Sequence, residues 1–112
     1  MAIACRAAAV ALAAGLTAAT PAVADDPVFA IEFKDGVITP STLEVPANTR
    51  FKIEIRNTGT TPAEFESAEL QREKVVGPGA NSFVVIRSLD PGEYSFFDDF
   101  HPDTPPGKLI AK

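Results

Sequence analysis

From Val28 to the end of the chain, short apolar runs bounded by Pro, Gly and Asn recur roughly every 8 to 12 residues, and no stretch sustains a helical period. A helix buries a face only through a 3.6-residue stripe, so this punctuation predicts an all-β fold, a Greek-key β-sandwich. The clearest strand is Arg50 to Arg56, where Phe51, Ile53 and Ile55 alternate with Lys52, Glu54 and Arg56. Val28 to Lys34 reads as a first strand with Phe29, Ile31 and Phe33 on one face, turned by Asp35-Gly36 into Val37 and Ile38. Thr42 to Val45, Ser82 to Arg87, Glu93 to Phe97 and Lys108 to Ala111 supply further strands, the third of these following the turn Asp90-Pro91-Gly92. Ser82 to Arg87 is apolar enough to predict burial on both faces, and Phe51, Phe83 and Phe96 are the expected core anchors. One short helical turn is expected in Ser67 to Lys74, where Ser67 offers an N-cap ahead of good helix formers.

The first 24 residues differ in kind. Met1 to Ala24 carries one charge, Arg6, then an Ala/Val/Leu run and the small-residue pattern Ala22-Val23-Ala24. These features predict a cleaved secretory signal peptide and a periplasmic protein. The apolar stretch Ala7 to Leu16 is too short for the roughly 20 residues of a membrane span. Cleavage after Ala24 leaves 9 basic and 15 acidic side chains, a net charge of 6 minus, with no basic stripe to engage nucleic acid. It also removes Cys5 and Met1, so the domain from Asp25 to Lys112 has no sulfur ligand and one histidine, His101. Disulfides and soft-metal thiolate chemistry are thereby excluded for that domain. No Gly-rich phosphate loop follows a strand, and no spacing suggests a Ser/His/Asp set.

Chemistry concentrates in Pro91 to Leu109, which places Asp98, Asp99, Asp103 and His101 between two strands. If Tyr94 and Phe96 face the core, strand parity aims Asp98 the same way. A buried carboxylate there requires a cation, a metal or a hydrogen-bond donor to offset its lost hydration. Two or three carboxylates with one imidazole form an O/N set suited to iron, Mn(II) or Cu(II), and oxygen donors favour ferric over ferrous iron.

This segment resembles the cupredoxin copper loop, Gly-x-Tyr-x-Phe-x-Cys followed by His three residues on. Gly92, Tyr94, Phe96 and His101 match, Asp98 stands at the cysteine position, and Pro105-Pro106 fills the region of the axial methionine. The resemblance implies the fold and excludes blue-copper electron transfer, since a His2Cys site cannot be built from one His and no Cys. More narrowly, Glu64-Phe65-Glu66-Ser67 with Phe97-Asp98-Asp99-Phe100-His101-Pro102 is similar to the EfeO-type cupredoxin-like group of bacterial iron-uptake systems. That similarity implies an iron permease and a periplasmic iron-binding protein as partners, peripheral contact with a membrane transporter, and binding or oxidation of ferrous iron before transport, a ferroxidase-like role.

On this reading Asp98 and His101 are metal ligands from one loop, for iron or Cu(II), with Glu66 or Glu64 contributed from the opposite strand. Asp99 and Glu69 are supporting or alternative ligands. A competing arrangement follows from alternation: if Phe65 faces the core, Glu64 and Glu66 both face away from it. The alternative function is a metal-free interaction module that docks through Phe97 to Pro106, with Phe97 and Phe100 exposed beside the prolines.

Overall fold

A computed structural model describes residues 25–112, with Gly15 alone ahead of them. The expected signal peptide, with Cys5, otherwise lies outside the described residues. Nine strands form: β1 (Val28–Lys34), β2 (Val37–Thr39), β3 (Thr42–Val45), β4 (Phe51–Asn57), β5 (Ala63–Ser67), β6 (Arg72–Val76), β7 (Asn81–Ile86), β8 (Gly92–Asp98) and β9 (Gly107–Ala111). They make two sheets, ordered β2-β1-β4-β7 and β3-β9-β8-β5-β6. The pairs β1/β4 and β3/β9 are parallel. Their partners are separated by other strands in the chain, as crossing between the layers of a sandwich requires.

The strands bury the residues their alternation selects. Ile31 and Phe33 of β1, Phe51, Ile53 and Ile55 of β4, Phe65 of β5 and Phe96 of β8 are fully enclosed. Phe33 meets Phe65 edge-on across the two layers at 6.4 Å between ring centroids, and Phe65 stacks on Phe96 at 5.1 Å. These aromatic contacts fix the layer spacing at the end of the sandwich from which the β8–β9 loop emerges.

Two expectations are corrected. No helix forms among the described residues. Ser67 to Lys74 is instead the turn Ala68–Gln71 and the start of β6, with Glu66 opposite Glu73 and Ser67 opposite Arg72. The cap signal is physically present, because Ser67 Oγ accepts from the Leu70 N–H at 3.2 Å. However, Gln71 takes φ of 52°, which ends any helical continuation, and Val76 returns to pair with Ala63 and bury itself. Tertiary burial overrides a modest local propensity here. The second correction concerns β7, which is covered on one face only: Val84 and Ile86 are buried, whereas Phe83 is 50% exposed and is not a core anchor. An unbroken apolar run does not distinguish a two-sided strand from an edge strand, and β7 is the edge of its sheet.

Candidate metal centre

Two neighbouring but separate groups of polar side chains occupy this end of the molecule. The first is centred on Asp98, the last residue of β8. Tyr94, Phe96 and Asp98 share one side of the strand, and the Asp98 side chain is buried beside Phe65, its partner in register. Its Oδ1 accepts from the Glu64 N–H at 3.0 Å and the Phe100 N–H at 3.1 Å. Its Oδ2 lies 2.8 Å from His101 Nδ1. Two backbone N–H groups and an imidazole therefore supply the compensation that burial of this carboxylate demands.

The other ring nitrogen is engaged too. His101 Nε2 is 3.2 Å from Thr61 Oγ1, which donates to Asp35 Oδ1 at 2.8 Å. Asp35 also accepts from the Thr60 and Thr61 N–H groups at 2.9 and 3.0 Å. The Thr61 hydroxyl first, and the Thr60 N–H next, hold the Asp35 carboxyl below its ordinary 3.8. Asp35 and Gly36 form a two-residue hairpin turn with φ of 45° and 89°, the primed geometry that matches strand twist. A Cβ at Gly36 would stand 2.7 Å from Thr104 Cγ2 and 3.1 Å from His101 Cβ, so only glycine admits the β8–β9 loop this close. The buried Asn57 braces the facing loop by donating to the Thr61 and Val76 carbonyls and accepting from the Gly59 N–H. Asp35 and Thr61 were not among the sequence candidates. Asp35-Gly36 carries a turn signal and Thr60-Thr61 a loop signal, and neither reveals that the two loops meet over His101.

The second group lies on the outer flank of the β8-β5-β6 part of the sheet. Phe65 points into the core, so Glu64 and Glu66 point out, as alternation requires. Asp99, one residue beyond Asp98, also falls on this side, with its N–H donating to the Glu64 carbonyl at 2.9 Å. Among the described residues, Glu64, Glu66 and Asp99 form a group of carboxylates whose oxygens lie within 4.8 Å of one another. Oxygen ligands sit about 2.0–2.6 Å from a hard cation, so two on opposite sides of one ion are about 4–5 Å apart, the spread found here. Glu73 stands opposite Glu66 in the β5/β6 register. Partial desolvation raises the Glu66 carboxyl above its ordinary 4.5, reinforced by a hydrogen bond with Glu73 and by repulsion from Glu73, Glu64 and Asp99. None of these four carboxylates takes part in the ion pairs found among the described residues.

The structure thus brings Glu64, Glu66 and Asp99 together, and Asp98 and His101 together, on opposite faces of the β5/β8 pair. It does not assemble the mixed set of Asp98, His101 and one glutamate. Glu69 belongs to neither group and accepts from the Ser95 N–H at 3.3 Å. Type 1 copper does not fit the first group: Asp98 occupies the thiolate position, both His101 nitrogens face oxygen partners within the chain, and no sulfur donor is present in residues 25–112. The second group is all oxygen and suits a hard or borderline cation.

Comparisons with known proteins agree with this architecture. Residues 6–111 match the family model described as a cupredoxin-like domain. An uncharacterized protein of Rickettsia prowazekii, RP394, is 41% identical over 81 residues, which cover 72% of this chain and 65% of that relative. The chain therefore spans somewhat under two thirds of that relative's length. A purple cupredoxin from Nitrosopumilus maritimus superimposes with a TM-score of 0.59 at 17% identity, covering 75% of this chain and 99% of that one. The metal-binding domain of the Cu(I)-exporting P-type ATPase CopA from Streptococcus pneumoniae does so with a TM-score of 0.63 at 12% identity, covering 76% and 84%.

Proposed function

The chain belongs to the cupredoxin-like domain family, and from that premise we propose that it is an exported accessory protein of ferrous-iron uptake that binds the ion through Glu64, Glu66 and Asp99. The observation that carries this reading is the gathering of those three carboxylates, with Glu73 beside them and no ion-paired cation among them. Like charges placed directly across a strand pair are destabilising, and a bound cation removes that cost. All-oxygen coordination also stabilises ferric relative to ferrous iron, which makes bound Fe(II) the more readily oxidised form. The signal-like leader supports a periplasmic location, and the resemblance to the EfeO-type group supports an iron permease and a periplasmic iron-binding protein as partners.

Anaerobic calorimetric titration of the mature protein with Fe(II), beside a Glu64→Gln/Glu66→Gln/Asp99→Asn variant and a His101→Gln variant, tests the proposal. Saturable binding that the triple variant loses and His101→Gln retains is the expected result. Binding that survives in the triple variant overturns it. Uptake of radioactive iron by cells lacking the gene, complemented with wild type or the triple variant, tests the cellular role, and equal rescue by both contradicts it.

One observation favours a second reading, a metal-free docking module. Phe100 is 47% exposed next to the exposed Pro102, Pro105 and Pro106, although Phe97 is half-buried and adds less to the patch than expected. On this reading the wild type binds no Fe(II) yet captures the permease, and Phe100→Ser loses that capture; saturable Fe(II) binding by the wild type contradicts it.

A further inference from the structure

The mature chain carries an excess of acid, yet its cations are unevenly placed. Arg50, Arg72, Lys74 and Arg87 line one groove of about 430 Å³ with Phe83, Val85 and a single carboxylate, Glu73. The groove runs along the open side of the sandwich between β6 and β7, and these are edge strands of the two different sheets. Arg72 and Lys74 have the parity of the buried Val76, so they project toward the gap between the layers rather than away from it. Arg72 Nε donates to the Val85 carbonyl at 3.1 Å, tying the two edges together at one point. Arg50 pairs with Asp26, whereas Arg72, Lys74 and Arg87 take part in none of the ion pairs found among the described residues. Phe83 is half exposed in the same place.

Three properties therefore coincide: net positive charge on an acidic protein, exposed aromatic and aliphatic surface, and two strand edges with no ladder partner on the groove side. From them we infer that the β6/β7 groove binds an extended, acidic segment of a partner protein by strand addition. Main-chain pairing with an edge supplies affinity, alternate side chains reach the apolar surface, and the carboxylates between them meet the cations. An anionic membrane is the poorer occupant, because a net charge of 6 minus opposes approach to it and a flat surface makes no use of strand edges. The inference does not rest on iron binding, since the groove's cations form no ion pair with the carboxylate cluster and Glu73 alone borders both places.

The test is an amide-resolved NMR titration of the mature protein with a synthetic peptide of alternating glutamate and valine, run beside a glutamate–glycine peptide of equal charge and vesicles of phosphatidylglycerol. Saturable shifts confined to Glu73–Val76 and Phe83–Arg87 are expected with the glutamate–valine peptide. Affinity should fall about tenfold in Lys74→Glu/Arg87→Glu, from the loss of two exposed pairings and the repulsion that replaces them. These two positions are exposed, and retained spectral dispersion verifies that the variant is folded. Phe83→Ser provides a second variant that weakens peptide binding without changing charge. Equal binding of the glycine peptide, shifts elsewhere on the surface, no saturable shift, or vesicle binding in place of peptide binding each overturn the inference.

Discussion

Asp98 shows how one residue decides what a fold can hold. Its position in the sequence, two residues beyond Phe96, was enough to place it inside, and its chemistry was enough to require a partner. Which partner it takes depends on two loops distant in sequence, those of Glu64 and Phe100–His101, and no local pattern encodes that meeting. Replacing Asp98 by Ala strands two backbone N–H groups and His101 Nδ1 in a buried site, at a cost of about 3 kcal/mol; Asp98→Asn retains an acceptor for the N–H groups and costs about 1 kcal/mol. Urea denaturation with an unchanged m-value is the appropriate measurement. Because this account gives Asp98 a hydrogen-bonding role, both losses should be the same in chelator and in added Fe(II). A loss that appears only with iron present assigns the ion to Asp98 instead.

At the scale of the element, the hairpin β5–β6 carries most of the functional argument. Its first strand was legible as an alternation in which Phe65 faces in and the glutamates face out, and the structure confirms that geometry. Its second strand was not legible. Arg72-Glu73-Lys74 reads as a solvated helical face, and only pairing with β5 makes it a strand and sets Glu73 against Glu66. That pairing has a pH signature. The folded-state pKa of Glu66 is raised above 4.5, so the native state binds more protons than the unfolded chain between 4.5 and the raised value. Stability therefore falls as pH rises through that window, and the deficit persists at neutral pH. In the absence of divalent cation, Glu66→Gln should melt higher than wild type at neutral pH, and the difference should vanish once the pH is below 4.5. Thermal scans across that range check it, and a variant that melts lower at neutral pH contradicts the repulsive arrangement.

Over the whole molecule, the sandwich was readable because apolar alternation and turn residues repeat along the chain, and seven of the nine strands announce themselves in this way, whereas β5 surfaced only as an alternative and β6 not at all. What the linear pattern did not supply was the sorting of five candidate ligands between two faces. Asp98 and Asp99 are adjacent in sequence and therefore opposite in direction, and the same parity that buries the first sends the second to join Glu64 and Glu66. The pole of the β8–β9 loop is closed by hydrogen bonds, and the carboxylate cluster stands on the flank. With a single histidine in residues 25–112, the two places are spectroscopically distinct. The decisive measurement is electron spin-echo envelope modulation on Mn(II) bound to the domain of residues 25–112 as a surrogate for Fe(II). The account predicts bound Mn(II) with no imidazole nitrogen modulation and loss of binding in Glu66→Gln. Imidazole modulation that disappears in His101→Gln would place the ion at the pole and contradict it.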